Sequence, residues 1–195
     1  RRALVNFTFV LNYQLEAEQV RFYHLSNILV HVMTALVLFG VVRRTLLLEP
    51  MRPRFERASR WLAFSIALIW LVHPLNTQSV SYITQRGESM MGMFYLLTMY
   101  GAIRLLDSSK QYRWLAGTFA ACAAGMACKE VMFTAPIMVI VYDWVFTRWT
   151  LAELLRHRSR LYMLLLATWV WYPIAGFKDM AEAGYTTGLS LAHIQ

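Results

Sequence analysis

Three polar stretches interrupt an otherwise apolar sequence, and each carries side chains able to hold an anion or pass a proton. The first, YHLSNILVHVMT, sets His24, Asn27, His31 and Thr34 at steps of three, four and three. That spacing is one stripe of a helix. It reads as hydrogen bonding between helices, worth about 0.6 kcal/mol per bond in a membrane, or as the lining of a site. A haem or metal pair made by His24 and His31 is weighed against the lack of a second histidine pair at matching depth. The second stretch, HPLNTQSVSYITQRGES, runs from His73 and Pro74 to Arg86 and Glu88. Pro74 cannot donate a backbone hydrogen bond and its ring clashes one turn back, so the helix is predicted to loosen after His73. Irregular backbone at membrane depth needs a cover of protein or water, so a cavity lined by Asn76, Thr77, Gln78, Ser79, Ser81 and Thr84 is expected. The planar fork of Arg86 suits phosphate oxygens. The plainer role is an ion pair with Glu88 or a contact with a lipid headgroup. In the third stretch, ACKEVMF, Lys129 and Glu130 break an apolar run. Lys129 is able to hold a phosphate as a point charge, with Glu130 orienting it or acting as a base. The plainer role is a turn carrying a solvated ion pair.

These groups need elements to position them. The 195 residues are 58% hydrophobic and 15% charged, and the mean hydropathy is +0.42. Soluble domains average about 45–50% apolar and about 25% charged. The fold class is therefore all-α, a polytopic transmembrane bundle. A spanning helix needs about 20 apolar residues, and six stretches qualify or nearly do: 25–42, 61–80, 89–106, 113–128, 131–146 and 161–177. The fourth and fifth are short and meet at Lys129 and Glu130, as a tight helical hairpin or a partly inserted pair. Cys122 and Cys128, the two cysteines, sit among small residues and read as packing residues rather than ligands or a disulfide. The sequon Asn6-Phe7-Thr8 is short and common by chance.

Sorting charge by loop explains the formal net charge of +8. The loops after the first, third and fifth spans hold thirteen of the nineteen Lys and Arg, against five acids; the other side holds six of each. Short loops rich in Lys and Arg stay cytoplasmic. The excess is thus a membrane-orientation signal, and no nucleic-acid partner is needed. Residues 1–24, the His73–Glu88 region, Lys129 with Glu130, and the tail after 177 are assigned to the outer face. Trp61, Tyr112, Trp114, Trp144, Trp149 and Tyr162 fall near span ends, as interfacial belts do.

Taken in order, NY, YHLSNILVH, HPLNTQSVSYITQRGES and CKEVMFTAPIMVIVYD resemble the membrane region of the TMTC-like (transmembrane and TPR repeat) O-mannosyltransferases and their bacterial relatives, within the GT-C glycosyltransferases. The matching residues are Asn12, Tyr13, Tyr23, His24, Asn27, His31, His73, Pro74, Val80, Ile83, Arg86, Glu88, Lys129, Glu130, Pro136, Tyr142 and Asp143. The resemblance implies a polyprenyl- or dolichyl-phosphate-linked sugar donor and an acceptor hydroxyl, on a protein or glycan, at the extracytoplasmic face. That face is the periplasmic side of a bacterial inner membrane or the lumen of the endoplasmic reticulum. It further implies a catalytic acid in a first outer loop, expected upstream of Arg1, and TPR repeats downstream. Residues 1–195 are then part of one transmembrane domain. Asn76 and Gln78 depart from the His and Glu common in the family, and neutral Gln78 is no base and a weak metal ligand.

On this reading Arg86, Lys129 and His73 meet the donor phosphate. His24, Asn27, His31, Asn76, Gln78, Glu88 and Glu130 line the pocket. No residue set is assigned to a metal, and a divalent cation is the one cofactor kept open. Membrane lipids are the remaining partner. Two other classes stay in view. A transporter or flippase for a lipid-linked or anionic substrate would also place cations beside broken helices. A non-catalytic anchor for TPR repeats would not need the polar cluster.

Overall fold

The computed structural model describes residues 2–16, 19–107 and 110–170. Every element among them is helical. In chain order these are α1 (Ala3–Glu16), α2 (Val20–Leu46), α3 (Arg52–Phe55), α4 (Ser59–Leu71), α5 (Thr77–Ser81), α6 (Arg86–Asp107), α7 (Gln111–Met126), α8 (Ala135–Thr147) and α9 (Leu151–Ala167). Short 3-10 turns cover Pro74–Asn76, Ile83–Gln85, Glu130–Thr134 and Thr168–Val170.

Among the described residues, three helical segments are long and apolar enough to cross a membrane: Val20–Leu46, Ile83–Asp107 and Glu130–Thr147. They correspond to the first, third and fifth expected spans. The expected second span is cut short. α4 ends after 13 residues, about 20 Å of helix, because Pro74 follows. The fourth, α7, has 16 residues. The sixth begins earlier than expected. α9 starts at Leu151 with a capping box between Thr150 and Glu153 and kinks at Arg158, where φ is −120° and ψ is 16°. The backbone N–H and hydroxyl of Thr150 hold the Glu153 carboxyl below the ordinary carboxylate range. Residues 171–177 of that span, and the tail beyond, lie outside the described residues.

α2 and α6 form the middle of the bundle. α4 packs on α2, and α7 packs on α6. α2 and α6 run parallel: Asn27 meets Arg86 near their starts, and Arg44 meets Tyr100 near their ends. α7 returns antiparallel, stacking Trp114 edge-on against Tyr100. The approach of α6 and α7 needs Gly101, where an added Cβ would lie 3.2 Å from Thr118 Cβ. Small residues at such crossings let backbones close up and gain dispersion contact, the main attraction available between helices in lipid. Both cysteines are free and buried: Cys122 in the main core with Met126, Met132 and Leu165, Cys128 in a smaller cluster with Val5 and Met90.

The bundle has two unlike ends. One carries His73 and the irregular segment between α4 and α6; the other carries the arginine-rich connections. Trp61, Tyr112, Trp144 and Trp149 are exposed as an interfacial belt requires, but Tyr162 is buried. Its hydroxyl donates to Asp143 Oδ2 at 2.7 Å. Arg158, expected in a loop, lies on α9 and is 7% exposed beside a wholly buried Asp143. Its guanidinium donates to Asp143 and to the Ala102 carbonyl of α6. One buried ion pair therefore ties α9 to α8 and α6. At the other end, Trp169 stacks on Phe133 at 4.0 Å and donates to its carbonyl at 3.1 Å. From the kink at Arg158, α9 continues to Ala167 and the turn at Thr168–Val170, and among the described residues it is not one of the helices long and apolar enough to cross a membrane. Removing one partner of a buried pair strands the other charge, at a cost of about 3–5 kcal/mol. Asp143→Ala is expected to lower the melting temperature of the detergent-solubilised protein sharply. The double change Asp143→Leu/Arg158→Met is expected to recover most of that loss.

Candidate functional site

The broken end of α4 leaves carbonyls without helical partners, and the α2 stripe supplies donors to this region. His31 Nε2–H donates to Leu71 O at 3.0 Å, and its ring lies tilted against Trp70 with centroids 4.8 Å apart. His24 Nδ1–H donates to Val80 O at 3.2 Å, and Asn27 Nδ2 donates to Tyr82 O at 3.2 Å. Asn76 reaches back to Trp70 O at 2.6 Å. Without water to solvate them, free carbonyls in a membrane need such partners. The stripe of the first motif and the irregular segment of the second are therefore two halves of one structure. The stripe is fitted to backbone carbonyls of the irregular segment. Among the described residues no group of three or more His, Cys, Asp or Glu is placed to hold a metal ion. Gln78 is exposed on α5.

Arg86 opens α6 and is 1% exposed. Its Nε–H donates to Asn27 Oδ1 at 2.9 Å, Nη1 to Asn12 Oδ1 at 2.6 Å and to both oxygens of Thr8 at 3.4 Å, and Nη2 to Tyr23 O at 3.1 Å. The ring centroids of Phe9 and Tyr23 lie 4.5 and 5.6 Å from the guanidinium carbon. No carboxylate among the described residues pairs with it. It is a buried cation held by neutral acceptors and aromatic faces. The sequence reading missed most of these partners because α1 was read as an outer segment. The signal was there: Val5, Thr8 and Asn12 recur at steps of three and four, one face of a helix.

Glu88 does not pair with Arg86. Two residues apart on a helix, their side chains diverge by roughly 200°. Arg86 faces α1 and α2, while Glu88 meets Lys129 at the turn after α7. This pair is partly open, with the Lys129 side chain 23% and the Glu88 side chain 42% exposed. Glu130 is exposed and takes no part in it. His73 is exposed, and its Nδ1 accepts the Leu75 N–H at 3.2 Å. In the neutral ring that leaves Nε2–H as the outward donor. His24, His73, Arg86 and Lys129 are thus brought to one end of the bundle, in two layers. Arg86, Asn27 and His24 lie inside it; Lys129, Glu88, Glu130 and His73 lie at its surface.

An all-α bundle with spanning helices, a polar end and an arginine-rich end defines an integral membrane protein. The chain is 32% identical over 149 residues to the protein O-mannosyl-transferase Tmtc2 of Drosophila melanogaster, covering 73% of this chain and 15% of that protein. It is 34% identical over 98 residues to the protein O-mannosyl-transferase F38B6.6 of Caenorhabditis elegans, covering 50% of this chain and 13% of the other. To the protein O-mannosyl-transferase TMTC1 of Homo sapiens it is 29% identical over 153 residues, covering 73% and 16%. The chain belongs to the TMTC-like family, and it spans only about 15% of the length of these relatives. No family profile and no solved structure matches it.

Lysine at position 86 would keep the charge but not the fork that reaches four residues. Each hydrogen bond to a charged group is worth about 1.5–3 kcal/mol. Arg86→Lys is expected to release α1, read as faster amide hydrogen exchange over Ala3–Glu16 with α7 and α8 unchanged.

Proposed function

We propose that this chain is part of a membrane glycosyltransferase that moves a mannosyl or related hexosyl group from a polyprenyl- or dolichyl-phosphate donor to an acceptor hydroxyl, such as protein Ser or Thr. The reaction is assigned to the His73 end of the bundle, the extracytoplasmic face by the charge distribution of the loops. One observation carries this reading: at that end a carboxylate holds a partly open ammonium, Lys129 on Glu88, in a chain whose relatives are named O-mannosyl-transferases.

In the transfer, the acceptor oxygen bonds to the anomeric carbon as the bond from that carbon to the phosphate oxygen breaks. The phosphate leaves with the electron pair, and the hydroxyl proton passes to a general base. Charge therefore grows on the leaving oxygen, where a preplaced cation in a water-poor site is most effective. Lys129 is the cation presented for this, exchanging Glu88 for phosphate. His73, at the same end of the bundle, is left with an outward Nε2–H when its ring is neutral. Glu130, exposed next to Lys129, is available to acceptor groups, as is Gln78.

Arg86 serves as a positioning residue. Its N–H groups are committed to the protein, so it acts through the first turn of α6, and through that turn on Glu88. Its charge, paired with no carboxylate among the described residues, also adds to the positive potential at this end. His24, Asn27, His31 and Asn76 hold the irregular segment in place.

The test is turnover of lipid-linked mannose by the full-length protein in vesicles. Losing one group that stabilises developing charge costs about a hundredfold or more in kcat. Lys129→Ala is expected to lose that much, with Lys129→Arg partly restored and both variants folded. Turnover by Lys129→Ala equal to the parent would remove the residue from the phosphate role.

A further inference from the structure

The opposite end of the bundle holds a feature that the transfer reaction does not use. Between the C-terminal halves of α2 and α6 lies a cavity of about 480 Å³, within the range of about 300–1,000 Å³ typical of ligand sites. Its walls are apolar, with Leu36, Val37 and Leu97, and its end is formed by Arg43, Arg44 and Tyr100. A second cavity of about 290 Å³ adjoins it and shares Arg43 and Leu47. Arg57, Arg60 and Trp61 also line this second space.

Charge at this place is unbalanced. Four arginines line the two cavities against one acid, Glu56, and Glu56 already holds Arg52 at 3.0 Å. Arg44 is partly engaged: its Nε donates to the Tyr100 hydroxyl at 3.4 Å. Arg43 is not. Its Nε is buried and has no hydrogen-bond partner. A buried donor without an acceptor costs about 1–3 kcal/mol, and among the described residues the Arg43 guanidinium meets no acceptor. Favourable placement of Arg43 and Arg44 at the C-terminus of α2 accounts for their charge there, not for the missing acceptor.

We propose that this paired cavity binds an anionic glycerophospholipid. Its phosphate sits on Arg43 with Arg57 and Arg60 beside it, and an acyl chain lies against Leu36, Val37 and Leu97 between α2 and α6. Three observations fit together here: an apolar wall open between membrane helices, cations confined to one end of it, and at the junction an arginine, Arg43, shared by both cavities and paired with no acid among the described residues. Basic pockets between membrane helices on the cytoplasmic side are suited to anionic headgroups, and the arginine-rich end is the one the loop charges assign to the cytosol. The proposal is independent of the transferase reading, because its site lies at the other end of the bundle.

The test is lipid retention by the purified full-length protein, read by native mass spectrometry from nanodiscs of phosphatidylglycerol or phosphatidylcholine. Preferential retention of phosphatidylglycerol is expected. Arg43→Gln is expected to weaken it about fivefold, the equivalent of about 1 kcal/mol per cation, while Arg113→Gln on another loop leaves it unchanged. Val37→Trp fills the groove with every charge intact and is expected to lose the bound lipid. Equal retention of the two lipids, or undiminished phosphatidylglycerol on either Arg43→Gln or Val37→Trp, overturns the proposal. So does displacement of the lipid by inorganic phosphate alone, which would mean an ion site without a chain groove.

Discussion

A helix that stops short leaves backbone carbonyls that other donors must meet, and the polar end of this protein is built around that fact. α4 ends at Leu71, and the chain stays irregular until Arg86 opens α6. The α2 side chains His24, Asn27 and His31 donate to carbonyls along this stretch. Without them the segment would carry unsatisfied groups costing several kcal/mol each. Placement of everything at this end follows from that closure. Asn27 serves twice, donating to Tyr82 O and accepting from Arg86, so the same residue fixes the break and the start of α6.

The two cations of the polar end divide the work by burial. Arg86 is enclosed by α1, α2 and two aromatic rings, and it organises the first turn of α6. Lys129 sits at the rim with an acidic partner that an incoming anion is able to displace. The helical step between positions 86 and 88 produces this division, since it points their side chains to nearly opposite sides. A buried, hydrogen-bonded guanidinium is suited to holding a shape, and an ammonium at the surface is suited to exchanging ligands.

Much of the fold was legible because membrane burial writes a simple code. The long apolar runs at 25–42, 89–106 and 131–146 became helices long and apolar enough to cross, and Pro74 ended its helix as its missing donor requires. Less legible were features whose partners are remote in sequence. Arg158 lies 15 residues from Asp143 and looked like one more loop cation, because charge sorting cannot tell a solvated arginine from one folded back onto a carboxylate. α1 was missed for another reason: its 14 residues are too few for a span, and its polar face of Thr8 and Asn12 gains meaning only opposite Arg86.

The sequence alone determined the all-α membrane class, the unlike charge of the two ends, and the set of polar residues at one of them. Hydropathy, proline and the clustering of Lys and Arg act locally or through the bilayer, so they need no knowledge of which helix touches which. Tertiary structure decided the pairings: Glu88 with Lys129 rather than Arg86, Arg158 with Asp143, and the α2 histidines with backbone carbonyls. Pairing depends on the rotation and depth of each helix against its neighbours, and those are set by close contacts such as Gly101 against Thr118, which no single stretch of sequence contains.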